Sequence, residues 1–391
     1  MTLSKVFFFL VLSFIGGILI SSFFNISKLI LIEFFLLGFL YFILSFFFTK
    51  NFKKVLIIFA LCLVFFSLGI LRLELTDSSG FNQEGTLEVL EGLRGNLKEK
   101  IYNSFSPPES NILAALTLGY KGEIGENWKE KLNISGLRHV VAISGMHIII
   151  LSGVIVSFCL SLGIPRGKVF YFALIILWFF IALTGFQTSA LRAGIMGSML
   201  LFCNKLGRQR RADRALFLTA ALILMVNPTL LKESIGFQLS FAASLGIIYF
   251  RPFLSKFFEK IKIFNLIGAN DLLAVTFSAQ IFVFPLLIYH FGKVSLISPL
   301  SNILVVPLIP LLMILGMVFL ATSLISPIFS FIIYLPTCLF LNYLAGVVDI
   351  FSRLPLAQIS FYFPWFLIPA SYLILGFIAY KISQRSAFLS F

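Results

Sequence analysis

Residues 135–151 read SGLRHVVAISGMHIIIL, and a largely apolar run continues to Leu162. Two of the chain's three histidines, an arginine and a Ser-Gly pair stand where this run begins. The stretch 139–162 has the length, about 20 residues, that a helix needs to cross a bilayer. Polar side chains are costly in lipid, so those inside a span face protein or water and are candidates for function.

The rest of the chain is of the same kind. Hydrophobic residues make up 59% of the 391 positions and charged residues 12%, against about 45–50% and about 25% in soluble domains. Apolar runs near 6–24, 28–48, 53–73, 139–162, 169–185, 188–204, 212–226, 234–250, 271–290, 297–322, 328–351 and 364–381 predict an all-α polytopic membrane protein with about 11–12 transmembrane helices. Any chemistry or transport then happens in or at the membrane. The first run follows Lys5 without a small-x-small cleavage site and reads as a retained span.

Three segments follow from the composition: a three-span part, 1–75; a polar part, 76–137; and a long membrane part, 138–385. Within the polar part Leu90, Leu93, Leu97, Ile101 and Phe105 mark one apolar helical face, which predicts a helix against the membrane surface or the bundle. Ser106-Pro107-Pro108-Glu109 carries helix-start chemistry for a second helix, Ser110 to Leu118, with Ser106 as N-cap. A third helix is expected near Glu126 to Ile134. The four cysteines lie singly in apolar runs with no metal-site or disulfide spacing, so they read as packing residues.

Net charge is +14. That excess suits either a polyanionic partner or the usual bias of Lys and Arg toward cytoplasmic loops. With the N-terminus inside, the basic clusters at Lys50 to Lys54, Lys205 to Arg214 and Arg251 to Lys262 fall on the cytoplasmic side. Lys28, Lys232, Lys293 and Arg353 remain outside, together with the polar part.

On this topology His139 sits at the outer boundary and His147 about 12 Å deeper, roughly 80° around one helix. Ser144 lies one turn before His147. Arg192, in TGFQTSALRAGIMGSM, reads either as a snorkelling side chain or as charge presented to a polar pathway. Two ridges of small residues flank it, Ala190, Gly194 and Ser198, and Ser189, Ala193 and Gly197; Ala242 and Gly246 form a similar one, and all predict close helix packing. His139, Gln187, Arg192, Gln238, His290 and Asn302 fall in the outer part of the membrane and suit the lining of a funnel. Each Gln or Asn alone also reads as interhelical glue.

The runs LTLGYKGEIGENWKEKLNISGLRHVVAISGMHI, TGFQTSALRAGIM, NPTLLKESIGFQLSFAASLGI and PLLIYHFGKVSLISPLSNILVVPLIPLLMILG resemble, in order and spacing, the competence domain of the ComEC DNA-uptake channel family. The resemblance covers roughly residues 87–350. It implies a channel passing single-stranded DNA inward across the cytoplasmic membrane, with Arg138 and His139 at the lip and Ser144 and His147 further down. In the family an oligonucleotide-binding fold and a metallo-β-lactamase-like domain accompany this part. Here the stretch from Thr76 to Thr86 is too short for the first, and no HxHxDH signature marks the second. The chain therefore reads as the channel module, needing no cofactor, with a separate DNA receptor, a nuclease, and an ATPase or cytoplasmic DNA-binding proteins as partners, since no GxxxxGK[ST] loop is present.

Two other classes stay open. Pro-broken spans also suit a small-solute or lipid transporter. Ser144, with His290 as base, would suit an intramembrane serine hydrolase.

Overall fold

In apolar surroundings backbone amides and carbonyls find partners most readily inside their own segment, so the chain folds into helices almost throughout. The computed structural model describes residues 3–24, 26–77, 88–207, 211–261, 269–355, 357–362 and 364–388. The N-terminal runs form α1 (Leu3–Phe23), α2 (Lys28–Leu44) and α3 (Lys50–Asp77). The polar part gives α4 (Glu88–Ser104), α5 (Glu109–Leu118) and α6 (Glu126–Ile134), and the opening stretch gives α7 (Arg138–Val141) and α8 (Gly145–Ser161). Next come α9 (Arg166–Leu183), α10 (Thr188–Lys205), α11 (Ala212–Val226), α12 (Leu230–Glu233), α13 (Ile235–Ile261) and α14 (Ala269–Phe291). The chain ends with α15 (Ser298–Val305), α16 (Ile309–Ile325), α17 (Pro327–Ser352) and α18 (Leu367–Phe388). Two three-residue strands, β1 (Lys293–Ser295) and β2 (Gln358–Ser360), pair antiparallel.

This is an all-α, multi-pass membrane protein. Among the described residues eight helical runs are long and apolar enough to cross a bilayer, one of them Ser298–Ile325, which joins α15 to α16. Gly145–Ser161 and Leu367–Ile382 are shorter apolar helices. The remaining two expected spans are also helical, but α10 carries Arg192 and Lys205, and α11 has 15 residues.

The described residues within Met1–Gly85 and Gln209–Phe241 form one compact unit, and those within Thr86–Arg208 and Ala242–Phe391 a second. In the first, α3 packs on α1 at a crossing of two glycines. A Cβ on Gly17 would stand 2.1 Å from the Phe66 carbonyl oxygen, and one on Gly69 2.2 Å from that of Phe14. Arg72, near the end of α3, donates from Nε and Nη2 to the Met225 and Val226 carbonyls at 2.7 and 2.8 Å, where α11 leaves its last carbonyls unpaired.

In the second unit α5 is the centre of the core. Residues 112–118 of this helix are apolar nearly all round, and all of them are buried. α5 lies among α4, α16 and α17, with Leu97 and Ile101 of α4 and Phe105 just after it covering α5, and the Phe105 ring 5.0 Å from that of Phe319. The helix predicted around Leu90 to Phe105 thus packs on the bundle. The Ser106 cap is corrected: α5 starts at Glu109 behind Pro108, and the Ser106 carbonyl accepts from the Ser110 amide. The small ridges pack as expected, since a Cβ on Gly194 would stand 2.2 Å from Ile181 of α9 and one on Gly246 2.1 Å from the Ser278 carbonyl oxygen of α14.

The expected span 139–162 is also corrected. It is broken at Ala142 to Ser144, where Ala142 (ψ 133°) and Ser144 (φ −123°, ψ 173°) are extended. His139 and His147 therefore belong to different helices, and the angle computed for one helix does not apply. His147 stands in the first turn of α8.

Candidate functional site

A helix interrupted inside a bundle exposes backbone groups that side chains must satisfy. Around residues 134–145 distant parts of the second unit do so. Ser295 Oγ donates to the Ile134 carbonyl at 2.7 Å, and Ser301 Oγ to that of Ser135 at 2.6 Å. Ser298 Oγ reaches the Gly136 carbonyl at 3.5 Å. Gly136 has a φ of +74°, and a Cβ there would stand 2.3 Å from Ser298 Cβ, so only glycine lets α15 approach. From the first turn of α10, Ser189 Oγ donates to the Ile143 carbonyl at 2.6 Å, inside the break.

The loop after α5 is fastened in the same way. Gly119, with φ +79°, ends the helix, and its carbonyl accepts from Gln187 Nε2 at 2.9 Å. Arg94 of α4 donates to the Leu118 carbonyl from Nε and Nη2 at 3.2 and 3.0 Å, and stacks over Tyr120 with 4.3 Å to the ring centre. Lys121 follows on the exposed side of this loop, with its pKa held below the ordinary value by desolvation and by the Arg138 charge. Glu123 is held below the usual carboxylate range by its hydrogen bond from Lys98.

α8 begins with a local cap. The Ser144 amide donates to His147 Nδ1 at 3.1 Å, and Ser144 Oγ lies 3.0 Å from the same nitrogen. His147 is fully buried, and its Nε2 has no hydrogen-bond partner among the described residues. Gln187 Oε1 and Asn302 Oδ1 are likewise buried without a partner there. Arg192, half-buried on α10, lies against the same helix start: a Cβ on Gly145 would stand 3.4 Å from its Nη2.

Of the expected pathway residues, Ser144, His147, Arg192 and Gln187 therefore gather around the break and the two loops beside it. His139 is exposed on α7 and acts electrostatically on His147. Arg138 is exposed, donates to Asn133 Oδ1 at 3.2 Å, and covers the Phe291 ring at 5.5 Å. With Glu126, Asn127, Lys129, Glu130, Asn133 and Lys293 it lines an open cavity of about 580 Å³. His290, next to Phe291, is half-buried near the end of α14. Asn302 follows Ser301 on α15. Gln238 belongs to the other unit, where its Nε2 donates to the Leu231 and Lys232 carbonyls at 2.9 and 3.0 Å. The imidazole at Ser144 is that of His147, whereas the hydrolase alternative assigned His290. Arg208 and Arg210, counted in the basic inner loop, lie outside the described residues.

Sequence reasoning missed Ser295, Ser298, Ser301, Arg94 and Lys121. The serines carry a signal, because their three-residue spacing in SLISPLS puts polar groups on one side of a helix start.

Comparison with known proteins adds the following. Residues 116–385 match a family model described as "Competence protein". The chain is 34% identical over 206 residues to "ComE operon protein 3" of Bacillus subtilis strain 168. The aligned region is 52% of this chain and 25% of that relative, so the match spans about a quarter of the relative's length. No solved structure matches.

Proposed function

The chain belongs to the competence protein (ComEC) family, and on that premise we propose that it is a channel conducting single-stranded DNA inward across the cytoplasmic membrane during natural transformation, with its N-terminus inside. The observation that carries this reading is the group around the α7–α8 break. The group includes Lys121 and Arg138, which act on each other electrostatically, and Arg192, whose guanidinium lies against the start of α8. Sequence-tolerant passage of a nucleic acid needs such positive groups for phosphates. Arg138 and His139 form the lip, Ser144, His147, Gln187 and Arg192 line the path, and His290 and Asn302 complete it. A separate receptor presents the DNA, a separate nuclease degrades the second strand, and an ATPase or cytoplasmic DNA-binding proteins supply the pull.

The role is not enzymatic on this reading. Ser144 and His147 meet in the geometry of a helix cap. An activated serine needs a base oriented by a third group, and Nε2 of His147 has none among the described residues. The 3.0 Å Ser144–His147 contact is the one observation that favours a hydrolase. In liposomes containing the protein, labelled single-stranded DNA should become nuclease-protected while small anions stay excluded. Passage of small anions with no protection of DNA supports a solute transporter instead.

A further inference from the structure

His147 Nδ1 accepts from a backbone amide, at 3.1 Å from Ser144 N, and an amide can only donate. The neutral ring therefore carries its proton on Nε2, so this N–H is a buried donor without an acceptor among the described residues. Buried donors are nearly always satisfied, and an orphan calls for a water, an ion or a ligand as its acceptor. Its surroundings all favour an anion. His147 is in the first turn of the 17-residue α8, whose leading amides have no intrahelical acceptor and whose dipole is positive at that end. His139 and Lys121, both exposed, act electrostatically on this buried ring.

We propose that the first turn of α8, together with His147 Nε2–H, His139 and Lys121, binds one phosphate oxyanion, which on the channel reading above is a backbone phosphate of the passing strand. Helix N-termini with added donors are suited to this ligand. The same chemistry would hold the phosphate of an anionic lipid headgroup, so the test separates the two sources.

The full chain is placed in phosphatidylcholine nanodiscs, and binding of fluorescein-labelled oligothymidylate is followed by anisotropy over a series of salt concentrations. His147→Glu keeps an acceptor for the Ser144 amide, as Glu does at this position of a capping box, but it sets negative charge where the phosphate would sit. We expect an affinity loss of about tenfold or more and a salt slope smaller by about 0.7, the share of one phosphate on a single strand. His147→Gln supplies both an acceptor and an N–H, and should retain affinity within about threefold. Lys121→Glu, an exposed change away from the helix start, should weaken binding in the same direction even if His147→Glu does not fold.

If oligothymidylate binds the folded His147→Glu and Lys121→Glu proteins with unchanged affinity and slope, the site is wrong while the channel reading stands. If the wild type ignores oligothymidylate but retains phosphatidylglycerol in native mass spectra in a His147-dependent way, the phosphate site stands and the DNA reading falls. Binding of neither ligand by the wild type overturns the site.

Discussion

Replacing Gly136 with alanine tests whether the loop before α7 is held by the close approach of α15. Gly136 has φ +74°, and the added carbon would stand 2.3 Å from Ser298 Cβ. The left-handed backbone costs a residue with a Cβ about 1 kcal/mol. Forcing the two carbons apart in a packed site adds about 1–3 kcal/mol. The sum, about 2–4 kcal/mol, at a conversion of about 2–4 °C per kcal/mol, lowers the melting midpoint by at least about 4 °C. Intrinsic-fluorescence melting in detergent reads this directly. Gly153→Ala on α8 is the control, because nothing lies within 4 Å of a Cβ there, and it should melt with the wild type or slightly above it. Adding Ser298→Gly to Gly136→Ala removes the nearest opposing carbon, so part of the overlap cost should be recovered, while the Ser298 Cα at 2.9 Å and about 1 kcal/mol of backbone cost remain. A Gly136→Ala protein that melts with the wild type would refute the close approach.

Arg192→Ala, in a protein that still inserts and accumulates, should lower DNA uptake, with Arg192→Lys restoring part of it; unchanged uptake would remove that arginine from the pathway. A fluorophosphonate probe should leave Ser144 unlabelled, and labelling that disappears in Ser144→Ala would revive the hydrolase reading. Glu123→Gln should cost about 1 kcal/mol or less, because the Lys98–Glu123 pair is partly exposed. The Glu123 carboxyl is depressed in the folded protein, so its contribution is present above the unfolded carboxylate pKa and lost as pH falls through the folded value. Wild-type and Glu123→Gln melting curves should therefore differ at neutral pH and converge in acid.

Length and apolarity made the membrane helices legible, because a run such as 53–73 has no other stable use for its side chains. The helix around Leu90 to Phe105 was legible from its apolar face, and the α9–α10 contact from Gly194 and its neighbours. The α7–α8 break was not. VVAISGMHI is apolar enough to continue a span, and the cue it holds, a serine three residues before a side chain able to return to the serine's amide, is short beside a 24-residue apolar run. The fastening of the loop was hidden for another reason. Ser295 and Ser301 bond carbonyls 161 and 166 residues earlier in the chain, and a backbone acceptor leaves no trace in the side-chain pattern.

The break changes how a chain with so few charges handles a polyanion. A continuous helix through 139–162 would direct every interior amide to a carbonyl of the same helix, leaving only side chains to meet phosphates. Starting α8 at Gly145 instead releases several amides inside the second unit, beside His147 and within reach of Arg192. Backbone donors carry no mobile charge and need no counter-ion, so they can serve a strand of any sequence without the cost of burying more lysines or arginines. The serines on the Ile134, Ser135 and Ile143 carbonyls complete the arrangement. They occupy carbonyls at the end of α6 and inside the break, and so hold in place the segment from which α8 starts.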